Sequence, residues 1–264
     1  MSMPVAICCA TVNREYAEGV RRTDFDDFGG LLTVAIGSPV FPLRSQPVPF
    51  LGGEAFHFRG DVKKRIVMVI GENEYQTWET LPEFARQELE WRGYSISYVQ
   101  STPIDGDPNF QDIEALRSAD LILVSARRRT PPRAMIELLR AHVAAGKPIV
   151  GIRTASHAFD AKPTNAAFAA WPAFDLDVLG GKYEGHYNNK PPTAPHSIIE
   201  QIRTNASHPV LTGVNPGPHR VTSHLYKSVQ LVPGTTPLLR GWVEGRESVV
   251  EPVAWVNNTA DRGV

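Results

Sequence analysis

Three short polar tracts carry residue types that could do chemistry, and each follows an apolar run. Gly71-Glu72-Asn73-Glu74-Tyr75 follows RIVMVI (65–70), Ala126-Arg127-Arg128-Arg129-Thr130 follows LILVS (121–125), and Arg153-Thr154-Ala155-Ser156-His157 follows a run ending at Ile152. Carboxylates paired with an imidazole suit general acid–base work, because histidine titrates near neutral pH and a neighbouring carboxylate tunes it. Glu72, Glu74 and His157 are therefore the candidate catalytic residues. Guanidiniums suit the binding and polarising of oxygens, which makes Arg127, Arg129 and Arg153 candidate substrate ligands. Tyr75 adds a flat apolar face with a polar tip. In a Gly/Asn-rich tract further on, Tyr183 and His186 have the composition of a polyol-binding loop.

Each residue also has an ordinary reading. The glutamates and arginines could pair with one another as loop charges, and a histidine just past a strand could be satisfied by a buried hydrogen bond. His208, before Pro209, reads as a turn residue, and His196, His219 and His224 read as structural or solvated. A metal held by His157, His186 and Glu72 or Glu74 would suit zinc, but no linear spacing demands it. No cofactor is expected. The first strand ends without G-x-G-x-x-G, so no dinucleotide cradle is present, and no phosphate-loop lysine motif occurs.

The elements that must position these tracts repeat as strand–helix units. RIVMVI and LILVS are continuous apolar runs, as expected for strands buried on both faces. Thr80 is expected to cap a first helix with Pro82 in its first turn, a stripe of Leu81, Phe84, Ala85 and Leu89, and Gly93 at its end. Tyr94–Val99 reads as the second strand, and Asn109 as the cap of a short helix with Ile113 and Leu116. Thr130 is expected to cap a further helix that buries Ile136, Leu139 and Val143 and ends at Gly146. Lys147 to Ile152 opens the fourth strand. Three such crossovers predict an α/β fold, a parallel sheet with helices on both faces. Ligands then collect at the strand carboxyl ends. A short helix is read near 171–179. Ser197–Arg203, Leu238–Val243 and Ser248–Val256 read as later strands, the last two joined by a turn at Glu244-Gly245-Arg246.

The run Gly151-Ile152-Arg153-Thr154-Ala155 between a strand and a helix has the spacing of a nucleophile elbow with residue 153 at its tip. Acyl transfer from an amide needs a thiolate there, whereas a guanidinium is no nucleophile, and Cys8 and Cys9 lie some 140 residues away along the chain. Cysteine-dependent amidotransfer is excluded on that ground.

Several tracts taken together resemble the ThuA-like (trehalose-utilisation-like) family: 71–75 with Thr80-Leu81-Pro82, GIRTASHAF (151–159), VLGGKYEGHYN (178–188), HPVLTG (208–213) and EPVAW (251–255). The resemblance runs from about Phe56 to Val264. It implies a flavodoxin-like sheet of the class I glutamine amidotransferase-like type without the catalytic cysteine, and a role in sugar or glycoside metabolism. The implied ligand is a small-molecule carbohydrate, bound by Tyr75, Arg127, Arg129, Arg153, Tyr183 and His186. The alternative is a non-catalytic carbohydrate-binding or protein-interaction module. Two departures stand out. His186 is a single histidine where family members often carry more, and family chains continue past EPVAW into another strand and a Gly-His ending.

The chain has 264 residues, 27 Lys+Arg against 28 Asp+Glu, and a net charge of -1. That balance argues against a nucleic-acid partner, and no apolar stretch approaches the roughly 20 residues of a membrane span. A second copy of the chain is the macromolecular partner left open. No signal peptide is visible, so a cytoplasmic protein is expected rather than an exported one. Residues 1–55 carry scattered Gly and Pro without periodicity and read as a poorly ordered leader or an over-extended start. Residues 56–264 read as one domain, truncated at its C-terminal end. Phe56–Arg59 is a candidate edge strand.

Overall fold

The computed structural model describes residues 6–9, 64–101, 108–228 and 230–258. Four parallel strands come from the expected units: β2 (Arg65–Gly71), β3 (Ser95–Gln100), β4 (Leu121–Ala126) and β5 (Ile149–Ile152). Their order is β3-β2-β4-β5, all parallel. The chain passes from β2 to one neighbour and then returns to the other side. That reversal is the switch point where open α/β sheets usually bind ligands.

Alternation along β2 explains why helices cover both faces. Ile66, Met68 and Ile70 pack with Leu81 and Ala85, on helix α1 (Thr77–Phe84) and the π-turn Ala85–Leu89 that continues it. Val67 and Val69 face the other way, onto Leu116 and onto Met135 and Leu139 of helix α2 (Arg133–Ala144). Met135 and Leu139 are fully buried, and each such side chain contributes about 1.5–3 kcal/mol by leaving water. The α/β class and its two covered faces are as expected.

The helix starts differ from expectation. α1 begins at Thr77, so Thr80 lies inside the first turn and Pro82 in the helix interior. Proline there removes an N–H from the ladder, and the helix widens to a π-turn just beyond it before Glu90–Arg92 tightens to 3-10. α2 begins at Arg133 after Pro132, and Thr130 does not cap it. Asp112, not Asn109, precedes the 3-10 turn Ile113–Ser118. Gly93 and Gly146 do end their helices, with φ of 94° and 68°.

Beyond β5 the sheet continues through β1 (Ala6–Cys9), β11 (Glu251–Asn257), β10 (Thr235–Val243), β7 (Ser197–Gln201) and β8 (His219–Val221). β1 is parallel to β5 and antiparallel to β11, and the rest of this half is antiparallel. β10 and β11 form the expected hairpin, with Gly245 at φ 81° in its turn. Four residues of the segment read as a leader thus form a strand, with Cys8 opposite Gly151 and Cys9 opposite Ile152. The rest of that segment, including the candidate strand Phe56–Arg59, lies outside the described residues. β6 (Gly181–Lys182) and β9 (Gln230–Leu231) make a separate two-stranded ladder. The short helix read near 171–179 is a single π-helical turn, Asp175–Leu179. It is tied to β11 by Trp255 Nε1–H on the Leu179 carbonyl at 2.7 Å and Asn257 Nδ2 on the Val178 carbonyl at 3.0 Å.

Candidate functional site

At the switch point two of the expected site residues, Glu72 and Arg129, are spent within the protein. Glu72 is 1% exposed, and both of its oxygens are occupied. Oε2 accepts from the backbone N–H groups of Glu74 and Tyr75 at 2.6 and 2.7 Å, and Oε1 from the N–H and hydroxyl of Thr77 at 2.7 and 2.6 Å. Thr77 Oγ1 lies 2.9 Å from Ser125 Oγ at the end of β4. Glu72 therefore shapes the loop and the start of α1, and has no lone pair directed at a ligand. Arg129 is 0% exposed and donates from Nε to the Gly71 carbonyl at 2.7 Å, while its own N–H bonds Ala158. It ties β2 to the segment after β5 and is out of reach of a substrate. Glu74 is exposed and pairs with Arg127 at 3.2 Å on the rim.

The remaining sequence candidates converge one strand further along, beyond β5. Ile152 is extended, and Arg153 then turns to φ 41° at the head of the 3-10 turn Arg153–His157. A positive φ at a non-glycine residue between strand and helix is the elbow expected from the sequence, and such strain gathers at functional positions. The Arg153 guanidinium is held between two phenol rings, 4.5 Å from the Tyr75 centroid and 4.4 Å from that of Tyr226. Its Nη1 donates to the His224 carbonyl at 3.3 Å, and its buried Nε has no hydrogen-bond partner among the described residues.

His157 stacks on Tyr183 with centroids 4.5 Å apart and 21° between the planes, and Tyr226 lies 4.7 Å from Tyr183. His186 lies on the outer side, 4.6 Å from His224, and both imidazoles reach the Tyr187 carbonyl, at 3.3 and 2.8 Å. Tyr75, Arg153, His157, Tyr183 and His186 are thus brought together. Tyr226 and His224, assigned no site role or a structural one from sequence, belong to the same cluster. Arg128, exposed at φ 50°, adds charge from the rim. Backbone bonds between 184–187 and 225–227 hold the two segments as a ladder. Asn189 secures its end, taking the Leu225 N–H at 2.9 Å and donating to Ser197 Oγ at 2.8 Å.

Electrostatics assign the cluster its character. Burial first, then the charges of Arg128, Arg127 and Arg153, depress the His157 pKa from the ordinary 6.5 to about 3. Its imidazole is neutral at physiological pH, and Ser156 Oγ lies 3.1 Å from its Nδ1. Burial raises the Tyr183 and Tyr226 phenols above their usual value, so both stay protonated as donors. Proton exchange between Glu72 and His157 has no support in this arrangement. One partner is saturated by the loop, and the other is too weak a base. Among the described residues no three His, Cys, Asp or Glu side chains come together to hold a metal. Arg153 also lines a cavity of about 30 Å³, bounded by β7, β8, β11 and the 223–228 segment. Such a space holds about two waters and is too small for a sugar ring.

No family model and no curated protein matches the sequence. Solved structures do. A protein described as ThuA-like from Bacteroides uniformis superposes with a TM-score of 0.53 at 16% identity, over 76% of this chain and 80% of the other. The fold is that of a ThuA-like protein. A second such protein, from Parabacteroides merdae, gives a TM-score of 0.48 at 14% identity over 76% of each chain. The ThuA-like scaffold was legible in the motif order. The exclusion of thiol chemistry rested on Arg153 at the elbow tip and on the distance of both cysteines along the chain. The register puts Cys9 beside Ile152, so what excludes a nucleophile at the elbow is Arg153 at its tip.

Proposed function

We propose that this chain binds a carbohydrate on the aromatic and cationic cluster beyond β5. The observation that carries the reading is the Arg153 guanidinium lodged between Tyr75 and Tyr226, beside the stacked His157–Tyr183 pair. Phenol and imidazole faces suit the apolar faces of sugar rings, and neutral N–H and O–H donors suit hydroxyl oxygens. The scaffold reads as an amidotransferase-like fold whose elbow has exchanged a nucleophile for a cation. That exchange, with a saturated Glu72 and a neutral His157, favours binding over the general acid–base role in sugar metabolism.

A second reading keeps catalysis with different parts. A neutral His157 and a protonated Tyr183 can polarise a keto oxygen as donors without giving up a proton. Calorimetric titration with mono- and disaccharides tests the binding reading. Tyr183→Ala is expected to weaken binding roughly tenfold or more, since aromatic contacts contribute on the order of 1 kcal/mol beyond area. Affinity unaltered by Tyr183→Ala and Tyr226→Ala would remove the site. Turnover of a keto-sugar lost in His157→Gln would favour the second reading.

A further inference from the structure

Arg153 is 7% exposed, and no carboxylate pairs with it among the described residues. The acidic groups of the adjoining segments are committed elsewhere. Glu72 is filled by four donors, and Glu74 is engaged with Arg127. Asp175 takes the N–H groups of Leu176 and Tyr183, and Glu251 takes the Tyr187 hydroxyl and the Ser228 N–H. Burying a guanidinium without a counter-charge is costly, and ring faces on two sides and one 3.3 Å bond to a carbonyl offset it only in part.

The free part of this cation has a defined shape. Nη1 is used by the His224 carbonyl, and Nε has no partner among the described residues. That leaves the Nε–Nη2 edge, the side of the fork that meets a carboxylate through two parallel N–H···O bonds. A flat carboxylate matches the two parallel donors of that edge better than a tetrahedral phosphate does.

We propose that the ligand of this site is anchored by a carboxylate on the Nε–Nη2 edge of Arg153, so that the carbohydrate it takes is a sugar acid and not a neutral sugar. The proposal rests on the carbohydrate reading for the rest of the ligand. The rim charge fits it: Arg127, paired with Glu74, and Arg128 lie close enough to act on His157, and bring attraction for an anion to the same mouth.

The test is a titration of the whole chain with glucuronate, glucose, glucose 6-phosphate and acetate, followed by calorimetry and by the Arg153 Nε–H signal in proton–nitrogen spectra. Glucuronate is expected to bind roughly 10- to 100-fold more tightly than glucose and to shift the Nε–H signal. Arg153→Met should abolish the preference. Arg153→Lys, which keeps the charge but not the fork, should lose most of it while circular dichroism reports an intact fold. Equal affinity for glucuronate and glucose would overturn the carboxylate anchor and leave the sugar site standing. Tighter binding of the phosphate would overturn the carboxylate assignment. Acetate binding as well as glucuronate, with Arg153 dependence, would keep the anchor and overturn the sugar reading. No binding by any of the four would overturn both.

Discussion

His157 and Tyr183 stack nearly face to face, 4.5 Å between centroids, although 26 positions separate them in sequence. The contact joins the turn after β5 to the irregular segment that crosses above it. It also keeps water from the imidazole, which is 8% exposed and surrounded by arginine charge.

That environment predicts a stability change with pH. The folded His157 pKa lies near 3, below the ordinary 6.5, so between those values the unfolded chain binds the proton more readily. Stability is therefore fully present above about pH 6.5 and falls as pH drops towards 3, by on the order of a few kcal/mol. His142, buried with a lowered pKa, acts in the same direction. Urea unfolding from pH 7 to 4 should show the decline, and His157→Gln should flatten part of it. An identical slope in the variant would contradict the burial account.

Glu72→Gln should destabilise the protein by about 2–3 kcal/mol. An amide turns a donor towards N–H groups that need an acceptor, and leaves buried backbone unsatisfied. The checking measurement is a chemical-denaturation curve at pH 7. A change under about 0.5 kcal/mol, the usual range for surface substitutions, would mean that the carboxylate is free for other work.

Gly180 has φ 81°, and a Cβ there would stand 2.7 Å from Asn257 Cγ. Gly180→Ala should cost about 2–4 kcal/mol through backbone strain and overpacking. It should also loosen the junction of the Asp175–Leu179 turn with β11. Thermal melting checks this, and an unchanged Tm would contradict the packing described.

Tyr187 donates to the buried Glu251 at 2.7 Å, and its phenol is pushed up to about 12 by burial and by that bond. Ultraviolet titration should find this tyrosine un-ionised at pH 11. Tyr187→Phe leaves the Glu251 carboxylate, among the described residues, with the Ser228 N–H alone and should cost about 1–3 kcal/mol.

Much of the scaffold was readable because it is written in local periodicity. RIVMVI and LILVS gave their strands within a residue, Gly93 and Gly146 gave helix ends, and residue 153 was recognisable as an elbow from the run around it. Helix starts were less legible. A threonine before a proline resembles a cap, but α1 is pinned further upstream by Glu72, five residues before Thr77. The site was half legible for a related reason. A polar residue after a strand reads the same whether its side chain is left largely unpartnered, as that of Arg153 is among the described residues, or is spent on backbone, as Glu72 and Arg129 are. Tyr226 and His224 escaped because they arrive by non-local pairing of 184–187 with 225–227. Neither stretch carries an alternation that announces the other.

The most direct test of the central claim is a crystal structure of the protein soaked with a mixture of sugars and sugar acids. The account predicts ligand density in contact with Tyr183 and Tyr226, with an oxygen within hydrogen-bond distance of Arg153. Density found only elsewhere, with Arg153 still unpaired between its two tyrosines, would contradict it.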